Sequence, residues 1–427
     1  MSLRTCLATC LLLSLGTSLS AQDYHYTFTS PLKEAYREIL SLRFGEATAL
    51  LGTARRQDPE NLVIYHLENY LDFFRLYIYE DERLYEKLLA NRSRRLDLLR
   101  RGPATDPYHR FAEADLRLQW ALVRLKFGDY LPAFSDVNKA YKLLERNREE
   151  FPGFMPNLKD LAILHAMVGT IPDNYRWGVE LLSSLRGTLQ QGKREMQQLL
   201  EATKGQSFIF RQEALTYYAF MLLHLYNQPE EAWQTVQTAG LQPAQNPLHC
   251  FVMANIAMRS GRNDAAISLL LQQPREAGYA DFAYLDFMLG TAKLRRLDSD
   301  ADQYLLDYLR RFRGRNFIKE AYQKLAWSAL MREDRAQYQL YMQACRQEGF
   351  TDTGSDEHAL REAMRGKPPH TVLIKARLLF DGGYYEQALR VLRPFERSHF
   401  SERDAVEYSY RLGRIYHGME DWQKALQ

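Results

Sequence analysis

The stretch that decides the fold is residues 373–392, "LIKARLLFDGGYYEQALRVL". Two apolar segments of helical length flank Gly382 and Gly383, and Ala376 and Ala388, one in each segment, stand twelve residues apart. Helices joined by so short a turn must reverse, and their axes approach closely only where both side chains at the crossing are small. The next stretch, residues 412–427, "LGRIYHGMEDWQKALQ", repeats the design: Gly413 and Ala425 are again twelve apart, and Ala425 lies 37 residues after Ala388. Spacing that returns at such a period marks stacked helix pairs.

Upstream the pattern continues. Ala254 and Ala266 occupy the two small positions of "FVMANIAMRSGRNDAAISLLL", and Ala232 closes the unit before it, 34 residues earlier. Gly290 opens a unit whose second small position falls on Asp302, and Ala326 opens one whose second position falls on Tyr338, each step being 36 residues. Turn residues separate the helices, as at 261–264 and 418–421. The N-terminal half is more degenerate. Ala47, Leu51, Ala54 and Pro59 read as the second half of a unit, Ala121, Ala133 and Ala140 as another, and Gly178 replaces alanine in a third.

Three stretches interrupt the array. Residues 186–206 are polar, with a surface helix around residues 193–202, and mark the boundary between halves; residues 348–370 read as an irregular linker with one short helix between loops. The opening at residue 22 starts extended and enters a helix with Ser30 as N-cap and Pro31 at the first helical position. The expected organisation is therefore a leader over 1–21, a degenerate helical lobe over 22–205, a regular array over 206–347, the linker over 348–370, and further units over 371–427.

Composition agrees with a folded chain. A hydrophobic content of 46% over 427 residues supplies ample core, and Lys+Arg 56 against Asp+Glu 53 carries no nucleic-acid signature. The first residues, "MSLRTCLATCLLLSLGTSLSAQ", read as a secretory leader with Arg4 in a short basic region, an apolar run from Cys6 to Leu15 and cleavage after Ala21. A membrane anchor needs about 20 apolar residues, and this run is too short. Acylation at Cys10 is the lipoprotein variant, opposed by Thr9 before it. The mature chain would keep Cys250 and Cys345, either bridged or, in the preferred reading, two buried thiols.

On these residues the chain resembles the tetratricopeptide repeat family, across the whole mature chain and most fully from Glu213 onward. Residues 168–182, "VGTIPDNYRWGVELL", also resemble an element of the mitochondrial outer membrane repeat proteins implicated in clearing inclusion bodies. The first resemblance implies a right-handed superhelix in two lobes, an α-solenoid whose concave groove holds peptides or helices of partner proteins. The paired Lys, Asn and Arg positions with which family members clamp a chaperone's terminal carboxylate have no counterpart, so that activity does not carry over.

Motifs of catalysis are missing: there is no H-E-x-x-H, G-x-S-x-G, phosphate-binding loop or dinucleotide fingerprint, and the ten histidines show no metal-ligand spacing. No cofactor or metal is expected. Two basic clusters invite a docking role. One places Arg94 and Arg95 among Arg92, Arg100 and Arg101; the other places Arg311, Arg313 and Arg315 beside Arg310 and Lys319. Each is either a solvated helix end or a patch for an acidic segment or an anionic envelope glycan or lipid. An aromatic helix, "YHLENYLDFFRLYIYEDERLY", is core by default, with Tyr65, Tyr70 and Tyr77 as alternative groove anchors.

The expected function is a non-catalytic interaction scaffold of the cell envelope, exported to the periplasm or associated with an outer membrane, binding a protein or peptide partner. One alternative is the repeat lobe of an envelope polysaccharide-processing enzyme whose catalytic part lies outside this sequence; another is glycan capture by the aromatic-rich N-terminal half. The last unit stops about one turn into its second helix, so either the chain runs on past Gln427, the favoured expectation, or a partner completes the unit.

Overall fold

The computed structural model describes residues 23–170 and 184–426. The leader, its cleavage point, Gly178, most of the 168–182 element and Gln427 lie outside the described residues. Within them the protein is helical, and no helix is long and apolar enough to cross a membrane.

The helices come in pairs. The first four pairs are α1 (Ser30–Leu40) with α2 (Phe44–Gln57), α3 (Val63–Tyr79) with α4 (Glu82–Leu99), α5 (Pro107–Lys126) with α6 (Tyr130–Glu150), and α7 (Pro156–Gly169) with α8 (Leu189–Ala202). Four more follow: α9 (Arg211–His224) with α10 (Pro229–Thr238), α11 (Pro247–Arg259) with α12 (Asn263–Leu271), α13 (Tyr284–Arg295) with α14 (Ala301–Arg311), and α15 (Ile318–Met331) with α16 (Arg335–Gln347). An unpaired helix, α17 (Gly354–Arg365), packs on α15 and α16; α18 (Thr371–Asp381) pairs with α19 (Tyr385–Leu392), and α20 (Glu402–Gly418) with the short α21 (Trp422–Ala425). The first helix of each pair packs against the first helix of the next, an order that fits an α-solenoid.

One turn design recurs inside the pairs. Leu42, Gly128, Gly261, Leu297, Glu333, Gly383 and Glu420 all adopt left-handed backbone, with φ between 59° and 81°. The residue after each donates its N–H to the carbonyl five residues back, as in Asp129 to Arg124, Asp298 to Lys293 and Tyr384 to Leu379, at 2.9–3.0 Å. That bond closes the first helix as a Schellman motif and reverses the chain. The second helix then begins at a fixed register, placing Ala133, Ala266, Ala388 and Ala425 five residues after the left-handed position.

Small residues sit where the helices cross. Ala121, Ala133, Ala232, Ala254, Ala266, Ala326, Ala376 and Ala388 are buried. A Cβ on Gly290 would come within 2.7 Å of Leu305, and one on Gly413 within 3.4 Å of the Ala425 carbonyl. The unit of Gly290 departs from the expected register: Ala301 is fully buried, whereas Asp302 is half-buried and pairs with Arg332 at 2.8 Å.

Of the three interrupting stretches, 348–370 carries the one short helix expected of it, and the expectations for the other two change. Residues 189–202 are not a surface connector but the second helix of a pair: Met196 and Leu199 are buried, and a Cβ on Gly192 would lie 2.3 Å from the Ala162 carbonyl. The 348–370 stretch carries α17, whose Asp356 accepts the backbone N–H groups of Phe317 (2.7 Å) and Glu320 (3.0 Å) at the start of α15. The first helix starts one residue earlier than expected, with Thr29 at the N-cap and Ser30 inside.

The array also folds back on itself. The Ala280 N–H donates to the Leu42 carbonyl (2.8 Å), and Arg43 donates to the Tyr279 hydroxyl (2.9 Å). At the next pair, Glu80 accepts from the backbone N–H of Arg315 and Asn316 and from the Asn316 side chain at 2.8–3.1 Å, and also pairs with Lys126. The turns of the first two pairs are thus seated on the loops before α13 and α15.

Candidate functional site

The first helices of the N-terminal pairs meet through buried charge. Lys159 of α7, with no exposed surface, donates to Asp115 of α5 (3.0 Å), Asp160 (2.8 Å) and Glu213 of α9 (3.0 Å). His66 of α3 reaches Asp115 at 2.7 Å, while Tyr36 of α1 and Tyr217 donate to Glu213 at 2.6 and 2.7 Å. Five successive first helices therefore meet through one hydrogen-bonded network, roofed by Phe111, Phe210 and Tyr217 around the ammonium. Burial works against the Lys159 charge, but the three carboxylates outweigh it and hold the group well above the ordinary lysine range. Burial also dominates at Asp160 and raises its carboxyl to about 7, with Asp115 adding to the effect. At Asp115 burial is overcome by Lys159 and His66, which hold it well below the usual carboxylate range.

This arrangement relocates several candidates. Tyr70 is buried, donates to Glu213 at 3.2 Å and packs edge-on against Tyr36, so it is a core residue and not a groove anchor. Tyr65 is half-buried and donates to the Pro59 carbonyl at 3.0 Å; Tyr77 is exposed under the Lys126 ammonium, 4.3 Å from its ring centre.

The basic clusters are answered from within. Arg95 is buried against Asp72 (2.6 Å), which corrects its reading as a docking residue, and Arg100 pairs with Glu113 (2.9 Å). Asp136, itself buried, collects Arg92, Arg117 and Arg124. Arg94 stays exposed. In the second cluster Arg311 pairs with Asp281 and Asp286, and Arg313 donates to the Leu309 and Phe312 carbonyls. Arg315 lies 3.9 Å over the Phe350 ring, pairs with Asp352 (2.8 Å) and reaches Glu82 (3.4 Å). The acidic segment this patch meets belongs to the same chain.

An open cleft of 280 Å³ lies in the C-terminal half, walled by α13, α15, α17 and α18. Three cations line it, Arg295, Lys324 and Arg377, with two carboxylates, Glu320 and Asp381. Lys324 donates to Glu320 at 2.6 Å, and Arg377 stacks 4.9 Å over the Trp327 ring while reaching Asp381 only at 3.8 Å. Among the described residues Arg295 has no carboxylate within ion-pair distance, and its one hydrogen bond is a long one, 3.3 Å, to the Met258 carbonyl. Burial lowers its pKa, and Asp381 and Glu320 act on it only through their fields. Thr291, 7% exposed, lines the cleft, and its buried hydroxyl has no hydrogen-bond partner among the described residues.

The inserted helix α17 supplies the fourth wall. Glu362 accepts from Trp327 Nε1 (2.7 Å) and Gln323 Nε2 (2.8 Å), locking α17 to α15, and Ser355 and His358 then face the opening. Burial, reinforced by Arg377, lowers the His358 pKa. A second cleft of 290 Å³ beside the 273–282 loop differs in kind, because its cations Arg275 and Arg311 are already paired with Asp286 and Asp281.

None of the cleft residues was singled out from sequence. Ala376 and Gly290, the small residues that seat α18 and α13, were the nearest signal. Among the described residues no group of three His, Cys, Asp or Glu side chains is placed to hold a metal ion, and Cys250 and Cys345 are separate buried thiols raised by burial to about 12. Known protein families and curated proteins offer no match to this sequence.

Proposed function

We propose that the protein is a non-catalytic binding scaffold of the tetratricopeptide type, exported to the cell envelope. Its helix pairs form a right-handed superhelix of two lobes that receives a peptide segment of a partner in the cleft between α13, α15, α17 and α18. One observation carries this reading. The first helices of the first five pairs are joined by the buried Lys159 network, while the C-terminal cleft keeps, among the described residues, an arginine without an ion pair and a buried hydroxyl without a partner. Unmet polar groups in a concave opening are what a ligand satisfies. The exposed Ser355 on the rim would lie beside the bound segment.

The test is site-specific photo-crosslinking in cells. A photoreactive residue at position 355 is expected to give a discrete adduct that is lost on Arg295→Glu, while the same residue at Arg56, exposed on α2, gives none. No adduct from 355, or the same adducts from both positions, contradicts the proposal.

A further inference from the structure

Resting on that reading of the cleft, we infer that the group it recognises is zwitterionic: a carboxylate and an ammonium close together, as on a short peptide with free ends. The argument starts from what the lining leaves unmatched. Lys324 and Glu320 satisfy each other at 2.6 Å. Arg295 and Asp381 do not form such a pair, although the ends of α13 and α18 meet here, where a Cβ on Gly382 would come within 3.2 Å of the Arg295 Cβ. Asp381 has only the 3.8 Å approach of Arg377 and keeps 37% of its side chain exposed. One guanidinium without an ion pair among the described residues and one loosely held carboxylate thus border the same opening, with Thr291 one helical turn before Arg295 on α13.

The ligand complement follows by charge. A carboxylate takes the Arg295 fork, and an ammonium takes Asp381. A phosphate dianion is disfavoured, because Glu320 and Asp381 both face the space it would fill. The size agrees: 280 Å³ lies near the lower end of ligand pockets, about 300 Å³, which suits a few residues and not a folded partner surface.

Calorimetric titration of the full chain with four probes tests this: trialanine with free ends, its N-acetyl form, its C-amide form, and inorganic phosphate. Free trialanine is expected to bind, and blocking either end to weaken binding about tenfold or more, the loss of one charge-assisted hydrogen bond. In Arg295→Gln the amide form should bind as well as the free acid, and in Asp381→Asn the acetyl form as well as the free amine. Equal binding of blocked and free peptides, or phosphate binding in place of them, overturns the inference. If no peptide binds while crosslinks from position 355 persist, the zwitterion assignment falls and the partner reading stands; if the crosslinks are also absent, both fall.

Discussion

At the scale of single residues, the closed centre of the N-terminal half is a problem of charge. One ammonium faces three carboxylates without solvent, and the arrangement settles by raising Asp160 to about 7 while Asp115 is held ionised. The linkage has a definite sign. An acid whose pKa is higher in the folded protein than in the unfolded chain contributes most stability below its unfolded value, near 4, and loses it as pH rises toward 7. Asp160→Asn keeps an acceptor for Lys159 and removes that loss. Its melting temperature should exceed that of the parent at pH 8 and match it near pH 4.5, as scanning calorimetry at the two values will show. These charges were not legible in the sequence, because "NLKDLAILHAM" looks like a solvated helix face until α3, α5 and α9 are placed against it. Arg95 was misread for the same reason, because a guanidinium at a helical position does not reveal whether its neighbour is water or another helix, whereas Tyr70 lies in the core, the default reading of its aromatic helix.

At the scale of elements, the reversal of seven of the pairs rests on one left-handed residue, and its surroundings set the cost of changing it. Gly128 has nothing within 4 Å of where a Cβ would stand, whereas a Cβ on Gly383 would lie 2.4 Å from the Gly261 carbonyl in a turn of another unit. Gly128→Ala should cost about 1 kcal/mol, the price of left-handed backbone alone. Gly383→Ala should cost about 3 kcal/mol, because a backbone clash is added. Urea unfolding of the two variants separates these; equal losses would show that the turns do not touch. The units from Ala232 onward were readable because alanine or glycine at twelve-residue spacing reports a helix crossing directly. The α3 and α4 pair was not recognised as a unit, since its crossing uses large side chains, and Gly192 was overlooked because its helix is polar on the outer side. The inserted α17 was foreseen as a short helix, but its use as a wall depends on Glu362 and Asp356 reaching α15, contacts no local pattern encodes.

At the scale of the whole molecule, the fold-back decides where an opening remains. Glu80 carries the second contact, and Glu80→Ala would leave the Arg315 and Asn316 amides and Lys126 without their acceptor, a loss of about 3 kcal/mol for breaking a buried charged contact. Hydrogen exchange at the Arg315 and Asn316 amides should accelerate while α20 is unchanged; unaltered exchange at these amides would mean that the two halves are not held there. With the first pairs seated on the loops before α13 and α15 and their first helices joined by the Lys159 network, the proposed binding surface is the C-terminal cleft, while the aromatic helix, core by default from its sequence, packs with Leu67, Tyr70 and Leu71 buried. The most direct measurement is thiol labelling, for which the buried Cys250 and Cys345 give no background in native buffer once Cys6 and Cys10 are replaced by serine, the parent with those two replacements being the control in denaturant. Ser355→Cys marks the cleft rim, and Ala112→Cys marks the inner face of α5, one turn before Asp115 and with no exposed surface. The account predicts rapid labelling at 355 in native buffer and labelling at 112 only when denaturant unfolds the chain. Equal rates at the two positions would contradict it, because the N-terminal half would then hold an open groove of its own.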